Sequence, residues 1–117
     1  MPASEHGDFE KPAKSAYSVE RYDSEWEHQY MKRLERDKNV AKWTKNHGIA
    51  IQYVTEAGNV RGYRPDFLVE KTDGGKELHE VKGTQFLENP DTIRKHEAAR
   101  NWCRKRGMNF IVATKSR

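Results

Sequence analysis

Residues 63–83 have the sequence YRPDFLVEKTDGGKELHEVKG, a pattern typical of a β-hairpin. The first half, residues 63–70, is rich in strand-forming residues and has Pro65 near its start, where a strand tolerates proline. Residues 72–75 (TDGG) are a tight-turn signal, and residues 77–82 (ELHEVK) provide the return strand. The sequence therefore predicts two antiparallel strands joined by a short turn.

Three charged side chains of this hairpin can meet on one face of the sheet. Side chains alternate between the two faces along a strand, so Glu80 and Lys82 are expected to point the same way. A turn near residues 73–74 places Asp66 opposite residues 80–82. The cluster depends on register, because a slip of one residue would send Asp66 to the other face.

Two carboxylates and an ammonium group at one position suit hydrolysis of a phosphodiester bond. Close carboxylates repel each other unless a cation lies between them, and hard oxygen ligands favour Mg²⁺, with Mn²⁺ as a substitute. A bound metal polarises a phosphoryl group and lowers the pKa of its water, which Lys82 can orient. The alternative is a solvated sheet face on which Asp66 and Lys82 form a weak cross-strand ion pair.

Two helices are predicted, one on each side of the hairpin in the sequence. The first covers residues 24–37, where Ser24 and Glu27 fit a capping box and apolar residues recur at helical spacing. The second covers residues 89–107, with asparagine as the cap, proline at the first helical position and Gly107 at the end.

The remaining predicted strands are short and rich in β-branched, aromatic and other apolar residues. They cover residues 40–45, 49–54 and 109–114. Together with the hairpin, they give the element order α-β-β-β-β-α-β. This order predicts an α/β fold with a mixed central β-sheet flanked by helices.

The length of 117 residues allows one domain with a modest core. Residues 1–20 lack periodicity and contain proline, glycine, serine and charges, so we expect a flexible N-terminal tail before a folded domain over residues 21–117. The single Cys103 excludes an internal disulfide. No apolar run reaches membrane-spanning length and no secretory signal is evident, which makes the cytoplasm the expected compartment.

The net charge of +4 is concentrated near the C-terminus. Residues 90–117 contain eight lysines or arginines against two acids, a balance of +6, which leaves −2 for residues 1–89. A basic segment of this kind indicates a polyanionic partner, with nucleic-acid phosphates as the leading candidate. The alternative is a solvated basic helix face without a partner.

The hairpin motif, Pro65-Asp66 followed by Glu80-Val81-Lys82, resembles that of the PD-(D/E)-x-K nuclease superfamily, and the element order matches its αβββαβ core. Within this superfamily the chain is similar to the C-terminal endonuclease domain of type III restriction enzymes. Five ordered segments carry this resemblance: Ser24 to Glu27, Val40 to Asn46, Tyr63 to Phe67, Glu80 to Gly83, and Lys95 to Cys103.

The resemblance implies a restriction-endonuclease-like fold and Mg²⁺-dependent hydrolysis of DNA by Asp66, Glu80 and Lys82. It implies that Glu27, on the first helix, is a further catalytic residue that binds the metal together with Asp66 and Glu80. The alternative role for Glu27 is that of capping-box partner alone. The resemblance also implies that Lys95 contacts the DNA backbone.

Further phosphate contacts are expected from the basic second helix, at Arg94, Arg100 and Arg104. Gln85, just past the second hairpin strand, is a weaker site candidate. His79 is expected to point to the sheet face opposite Glu80, because the two residues are neighbours on one strand.

The expected function is that of a restriction-type or defence-related endonuclease acting on DNA. Two alternatives remain open: a structure-specific or junction-resolving nuclease that acts as a homodimer, and a non-catalytic DNA-binding module of the same fold. The chain has neither a helicase motor nor a Gly-rich phosphate loop. An excised domain, a stand-alone nuclease, and a subunit that relies on a targeting or motor partner are therefore all compatible with the sequence.

Overall fold

The computed structural model describes residues 6–115. Its elements follow in chain order: β1 (Gly7–Glu10), β2 (Val19–Tyr22), α1 (Glu25–Arg36), β3 (Val40–Thr44), β4 (Ile51–Val54), β5 (Val60–Tyr63), β6 (Phe67–Lys71), β7 (Lys76–Gly83), a 3₁₀ turn (Thr84–Phe86), α2 (Pro90–Lys105) and β8 (Asn109–Lys115). Both predicted helices are confirmed. Of the helices between residues 6 and 115, none is long and apolar enough to cross a membrane.

The central sheet has four strands in the order β3-β6-β7-β8. Strand β6 pairs in antiparallel fashion with both β3 and β7, whereas β8 pairs with β7 in parallel. A parallel neighbour requires a crossover, and α2 supplies it between β7 and β8. The predicted mixed sheet with flanking helices is thus confirmed, and it is compatible with a restriction-endonuclease-like fold.

The two helices cover opposite faces of this sheet because the strand side chains alternate. Phe67 and Val69 are completely buried in a cluster with Tyr30, Met31 and Leu34 of α1. Leu78 of β7 points to the other face. There it packs in a second cluster with Ala99 and Cys103 of α2 and with Ile51 and Tyr63 of β4 and β5. Even-numbered positions of β6 and β7 therefore face α2.

The helix starts follow the local chemistry that the sequence predicts. Ser24 Oγ accepts a hydrogen bond from the Glu27 N–H at 3.1 Å, and the Asn89 side chain accepts from the second and third residues of its helix. These contacts satisfy N–H groups that have no partner within the helix. Gly107, with φ of +69°, lies just past the end of α2, in a backbone conformation that favours glycine.

The prediction of one continuous strand over residues 63–70 is wrong. Tyr63 ends β5, which pairs with β4 in a separate two-stranded sheet, and β6 begins only at Phe67. The break falls at Pro65, which has no N–H to donate to a ladder and which restricts the backbone of Arg64 before it. The chain therefore leaves one sheet after Tyr63 and enters the other at Phe67, directly after Asp66.

The expected flexible tail over residues 1–20 is corrected for residues 7–20. Strands β1 and β2 pair in antiparallel fashion, and Glu20 is fully buried, with its carboxylate accepting a hydrogen bond from the Lys45 N–H at 3.0 Å. The Glu35 carboxylate of α1 accepts from two further N–H groups of this segment. These partners are distant in sequence, so the local composition does not reveal them. Residues 1–5 lie outside the described residues.

Candidate active site

The register of the β6–β7 hairpin places the three predicted catalytic residues on the α2 face. Phe67 pairs with His79 and Leu68 with Leu78, so the same register sets Asp66 opposite Glu80. Directly opposed residues of antiparallel strands share a face. The condition on register that the sequence left open is therefore met.

Contacts with β7 hold each of these side chains in place. Asp66 Oδ2 accepts a hydrogen bond from the Val81 N–H at 2.8 Å, which fixes the carboxylate against β7. Lys82 Nζ lies 3.6 Å from Glu80 Oε2, and both side chains are largely shielded from solvent. The structure thus brings Asp66, Glu80 and Lys82 together at one end of the hairpin.

Burial makes ionisation of both carboxyl groups unfavourable. The pKa of Asp66 is raised to about 8, chiefly because the group is removed from water and because the charge of Glu80 is close, although the Val81 N–H opposes this shift. Burial also raises the pKa of Glu80, against the nearby charges of Lys82 and Lys95. A cation between the two carboxylates would relieve this cost.

Glu27 does not join Asp66 and Glu80 in a three-carboxylate group. Its Oε1 accepts hydrogen bonds from Lys45 Nζ at 2.6 Å and from the Asp23 N–H at 2.9 Å. Across residues 6–115, no three histidine, cysteine, aspartate or glutamate side chains converge as metal ligands. Lys45 and the start of α1 hold the Glu27 carboxylate here, and the metal-binding role of Glu27 stays a prediction.

The capping role of Glu27 is present in modified form. Its backbone N–H donates to Ser24 Oγ, but its carboxylate binds the Asp23 N–H rather than that of Ser24. The carboxylate remains near enough to Asp66 for its charge to contribute to the raised pKa of that residue.

Lys95 is the one predicted DNA-binding residue that lies beside the carboxylates. Its Nζ is 5.8 Å from the ring centroids of both Tyr53 and Tyr63, and its charge acts to lower the pKa of Glu80. Lys95 therefore lies near the carboxylates, on the first part of α2, and its contact with the DNA backbone stays a prediction.

The other three predicted DNA-binding residues do not share a surface with Lys95. Arg94 donates to a backbone carbonyl of β4, Arg100 lies over an aromatic ring of β8, and Arg104 donates to a side chain one turn before it. At 3.6 residues per turn, positions 100 and 104 share one side of α2, about 140° and 180° around the helix from position 95, and position 94 is about 100° from it. A single basic face that combines Lys95 with Arg94, Arg100 and Arg104 is not formed.

A cationic pocket beside Asp66 contains residues that the sequence did not single out. Its volume is about 280 Å³, and it is lined by Arg21, Asp23, Lys45, Asn46, Arg64, Pro65 and Asp66. Arg64 is exposed, whereas Lys45 is neutralised by Asp23 and Glu27 at 3.0 and 2.6 Å. Arg64 could have been found from its position directly before the motif. Arg21 lies just past the expected tail and carried no local signal.

His79 and Gln85 are two further residues whose positions the sequence analysis considered. His79 lies on the α1 face, where its ring nitrogens contact the Tyr30 hydroxyl at 2.6 Å and the Glu77 carboxylate at 2.7 Å. The expectation that His79 points away from Glu80 is thus confirmed. Gln85 folds its amide against Gly83, and a side chain at position 83 would require this amide to move.

Comparison with known proteins identifies one family. A family model described as TnsA-like endonuclease N terminal matches residues 37–115, about two thirds of the chain. The match runs from the end of α1 through β8 and includes Asp66, Glu80 and Lys82 but not Glu27. No curated protein shows significant sequence similarity to the chain. The family match supports a nuclease, and it does not confirm the narrower resemblance to type III restriction enzymes.

Proposed function

Because the chain belongs to the TnsA-like endonuclease N-terminal family, we propose that it is a Mg²⁺-dependent endonuclease that hydrolyses phosphodiester bonds of DNA. The observation that carries this proposal is the convergence of Asp66, Glu80 and Lys82 at one end of the β6–β7 hairpin. A retired site would usually lose at least one of these three groups, which argues against a non-catalytic binding module.

Asp66 and Glu80 are the residues proposed to hold the metal ion. Both are shielded from water, both have raised pKa values, and Glu80 Oε1 has no hydrogen-bond partner within residues 6–115. Such a carboxylate pair fits a hard divalent cation such as Mg²⁺, with Mn²⁺ as a substitute. When bound, the ion would polarise the phosphoryl group and make water a stronger nucleophile.

Lys82 is proposed to stabilise charge that develops on the phosphoryl oxygens. Its ammonium group is held beside Glu80 at 3.6 Å, and the surrounding protein strengthens its field relative to bulk water. In hydrolysis, water forms a bond to phosphorus while the bond to the leaving oxygen breaks, and that oxygen gains a proton. Lys82 can donate a hydrogen bond to the attacking water or to a phosphoryl oxygen during this exchange.

Glu27 is proposed to act through its charge rather than as a ligand. Lys45 and the Asp23 N–H already occupy its Oε1, yet its negative charge lies close enough to influence Asp66. The extra negative charge favours a cation at the carboxylate pair.

The proposal is tested by a thermal shift with Mg²⁺. A ligand that binds only the folded state stabilises it by RT ln(1 + [L]/Kd), about 2.7 kcal/mol at 100 times Kd. We expect Mg²⁺ to raise the melting temperature of the wild-type protein, and EDTA to reverse this increase. A melting temperature that is independent of Mg²⁺ and Mn²⁺ at millimolar concentrations would instead favour a surface ion pair without a metal site.

DNA is proposed to pass over Lys95, whose charge acts on Glu80, and over Arg64, which lines the pocket beside Asp66. We expect Arg64→Ala to weaken duplex DNA binding and to reduce the slope of log K against log salt by about 1, because one phosphate contact is lost. Arg36→Ala is the matched control, since Arg36 is also exposed but lies at the far end of α1. Fluorescence anisotropy in EDTA measures both, and equal slopes for the two variants would exclude Arg64 from the DNA surface.

One active centre of this kind cuts one strand. Cleavage of both strands would therefore need a second copy of the chain or a second binding event. We propose that a second copy of the chain, in a homodimer, or a targeting subunit makes the second cut possible. We also propose a restriction-type or defence-related role for the protein.

A further inference from the structure

Three buried polar atoms lack a hydrogen-bond partner in the described part of the chain, and all three lie between the sheets and α2. They are Tyr63 Oη, Glu80 Oε1 and His96 Nε2. Their side chains are only 5%, 6% and 5% exposed. Buried polar atoms are almost always hydrogen-bonded, because an unsatisfied one loses its contact with water without compensation. Three such atoms in one place call for a common explanation.

Tyr63 is the link between the other two residues. Its ring centroid is 6.3 Å from that of His96, and its hydroxyl is close enough to Glu80 for that carboxylate to act on it. Burial raises the pKa of the Tyr63 hydroxyl, and the nearby charge of Glu80 raises it further. Tyr63 is placed here because the chain breaks at Pro65 and β5 belongs to the β4–β5 hairpin.

The donors and acceptors of the three side chains complement one another. An ionised carboxylate only accepts hydrogen bonds, a phenol donates one and accepts others, and a neutral imidazole can donate from one nitrogen. His96 stays neutral because burial, and then the charges of Lys82, Arg100 and Lys95, lower its pKa to about 4. A chain from His96 Nε2–H to Tyr63 Oη, and from the Tyr63 hydroxyl to Glu80 Oε1, would give each of the three atoms a partner.

We propose that Tyr63 is a positioning residue that orients the Glu80 carboxylate for metal binding, and that His96 in turn orients the Tyr63 hydroxyl. The inference rests on the proposed function, since the orientation matters only if Glu80 binds a cation. Lys82 approaches Oε2 of Glu80 and Tyr63 would take Oε1. Each carboxylate oxygen has a second lone pair, so both remain able to bind a metal ion.

A similar set of hydrogen bonds among a tyrosine, a histidine and a glutamate is present on the opposite face of the sheet. There, Tyr30 Oη lies 2.6 Å from His79 Nδ1, and His79 Nε2 lies 2.7 Å from a Glu77 oxygen. That group has its hydrogen bonds complete and lies against α1. The group around Tyr63 differs because its glutamate is part of the proposed metal site.

The first test compares Tyr63→Phe with Tyr53→Phe by isothermal titration of Mg²⁺ into the protein without DNA. The two tyrosine rings lie at the same 5.8 Å from Lys95 Nζ, but only Tyr63 has the buried hydroxyl near Glu80. We expect Tyr63→Phe to weaken Mg²⁺ binding by about 10-fold or more, as loss of an outer hydrogen-bond partner does at other metal sites. Tyr53→Phe should bind within about twofold of wild type. Equal affinities for the two variants would overturn the inference.

His96→Phe tests the second link in the same titration. We expect His96→Phe as a single change to weaken Mg²⁺ binding. In the double variant it should cause no further loss of affinity beyond that of Tyr63→Phe, because His96 acts only through the Tyr63 hydroxyl. Additive losses in the double variant would remove His96 from the chain.

A second measurement needs no metal and separates this inference from the proposed function. We expect Tyr63→Phe to lower the urea midpoint of unfolding in the wild-type background, where it breaks the bond to Glu80. In a Glu80→Met background the same change should lower the midpoint less, because only the contact of the hydroxyl with His96 remains to be lost. Equal lowering in both backgrounds would overturn the chain. If the wild-type protein binds no Mg²⁺, the proposed function is refuted. The urea measurements would then test only whether Tyr63 is hydrogen-bonded to Glu80.

Discussion

Replacing Lys82 with alanine is expected to lower the rate of DNA cleavage by about 100-fold or more, because one preorganised donor to a developing oxyanion typically contributes 10²–10³-fold. Lys82 Nζ lies 3.6 Å from Glu80 Oε2, where its charge would meet the reacting phosphate. DNA affinity should change little, because one phosphate contact is a small part of the electrostatic attraction. Single-turnover cleavage and anisotropy, measured on the same duplex, separate the two effects.

Lys38→Ala is the matched control for this variant. Lys38 is exposed beyond the end of α1, away from the carboxylate pair, and should cut DNA at the wild-type rate. A Lys82→Ala protein that cuts as fast as Lys38→Ala would remove Lys82 from the mechanism.

Asp66→Asn is expected to abolish both the Mg²⁺ thermal shift and DNA cleavage. The amide keeps the size of the side chain and can still accept the Val81 N–H bond, but it lacks the negative charge that holds the cation. Loss of the metal removes several kcal/mol of transition-state stabilisation, which corresponds to a rate decrease of at least about 1,000-fold.

Asp73→Asn controls for the amide substitution within the same hairpin. Asp73 lies in the exposed turn, where its side-chain oxygen accepts from the Gly75 N–H at 2.8 Å, and asparagine retains such an acceptor. Mg²⁺ should stabilise this control as it does the wild type. A Mg²⁺ response in Asp66→Asn equal to that of Asp73→Asn would place the metal elsewhere.

The raised pKa of Asp66 also predicts how stability without metal depends on pH. The folded protein keeps the Asp66 proton up to about pH 8, whereas the unfolded chain releases it near the ordinary value of 3.8. The unfolded state therefore binds fewer protons in this window, and the stabilising contribution at low pH is lost as pH rises through about 8.

Urea unfolding in EDTA measures this effect as the difference in unfolding free energy between wild type and Asp66→Asn. Histidine titration contributes equally to both proteins and is removed by the subtraction. We expect the wild type to lose up to about 1.4 kcal/mol per pH unit relative to the variant between about pH 5 and 8. Mg²⁺ should flatten this dependence, because it favours the ionised carboxylates. Parallel pH profiles for the two proteins in EDTA would show that Asp66 titrates normally.

The features that the sequence predicts well are those set by neighbours along the chain. Alternation and the TDGG turn predict the β6–β7 hairpin, and its register follows once the turn closes at Gly74, which has φ of +90°. The caps at Ser24 and Asn89 predict both helix starts because capping is a contact between residues two or three apart.

The features that the sequence does not predict depend on contacts between distant residues. The β1–β2 pair is held by Glu35 and by Lys45, which no local pattern connects to it. Likewise, the ion pair between Glu27 and Lys45 spans α1 and the end of β3, so a glutamate with the spacing of a metal ligand is held by a lysine instead. Which side of α2 faces the carboxylates depends on the strands that pack against the helix. Composition alone therefore does not show which of the α2 arginines lie near the site.

Cleavage of supercoiled plasmid by the wild-type protein, in Mg²⁺ and in EDTA beside Lys82→Ala, tests the account most directly. We expect nicked or linear product with Mg²⁺ or Mn²⁺, none in EDTA, and none from Lys82→Ala within the time that exhausts the wild-type substrate. Cleavage that persists in EDTA, or that Lys82→Ala carries out at the wild-type rate, would contradict a metal-dependent centre built from Asp66, Glu80 and Lys82.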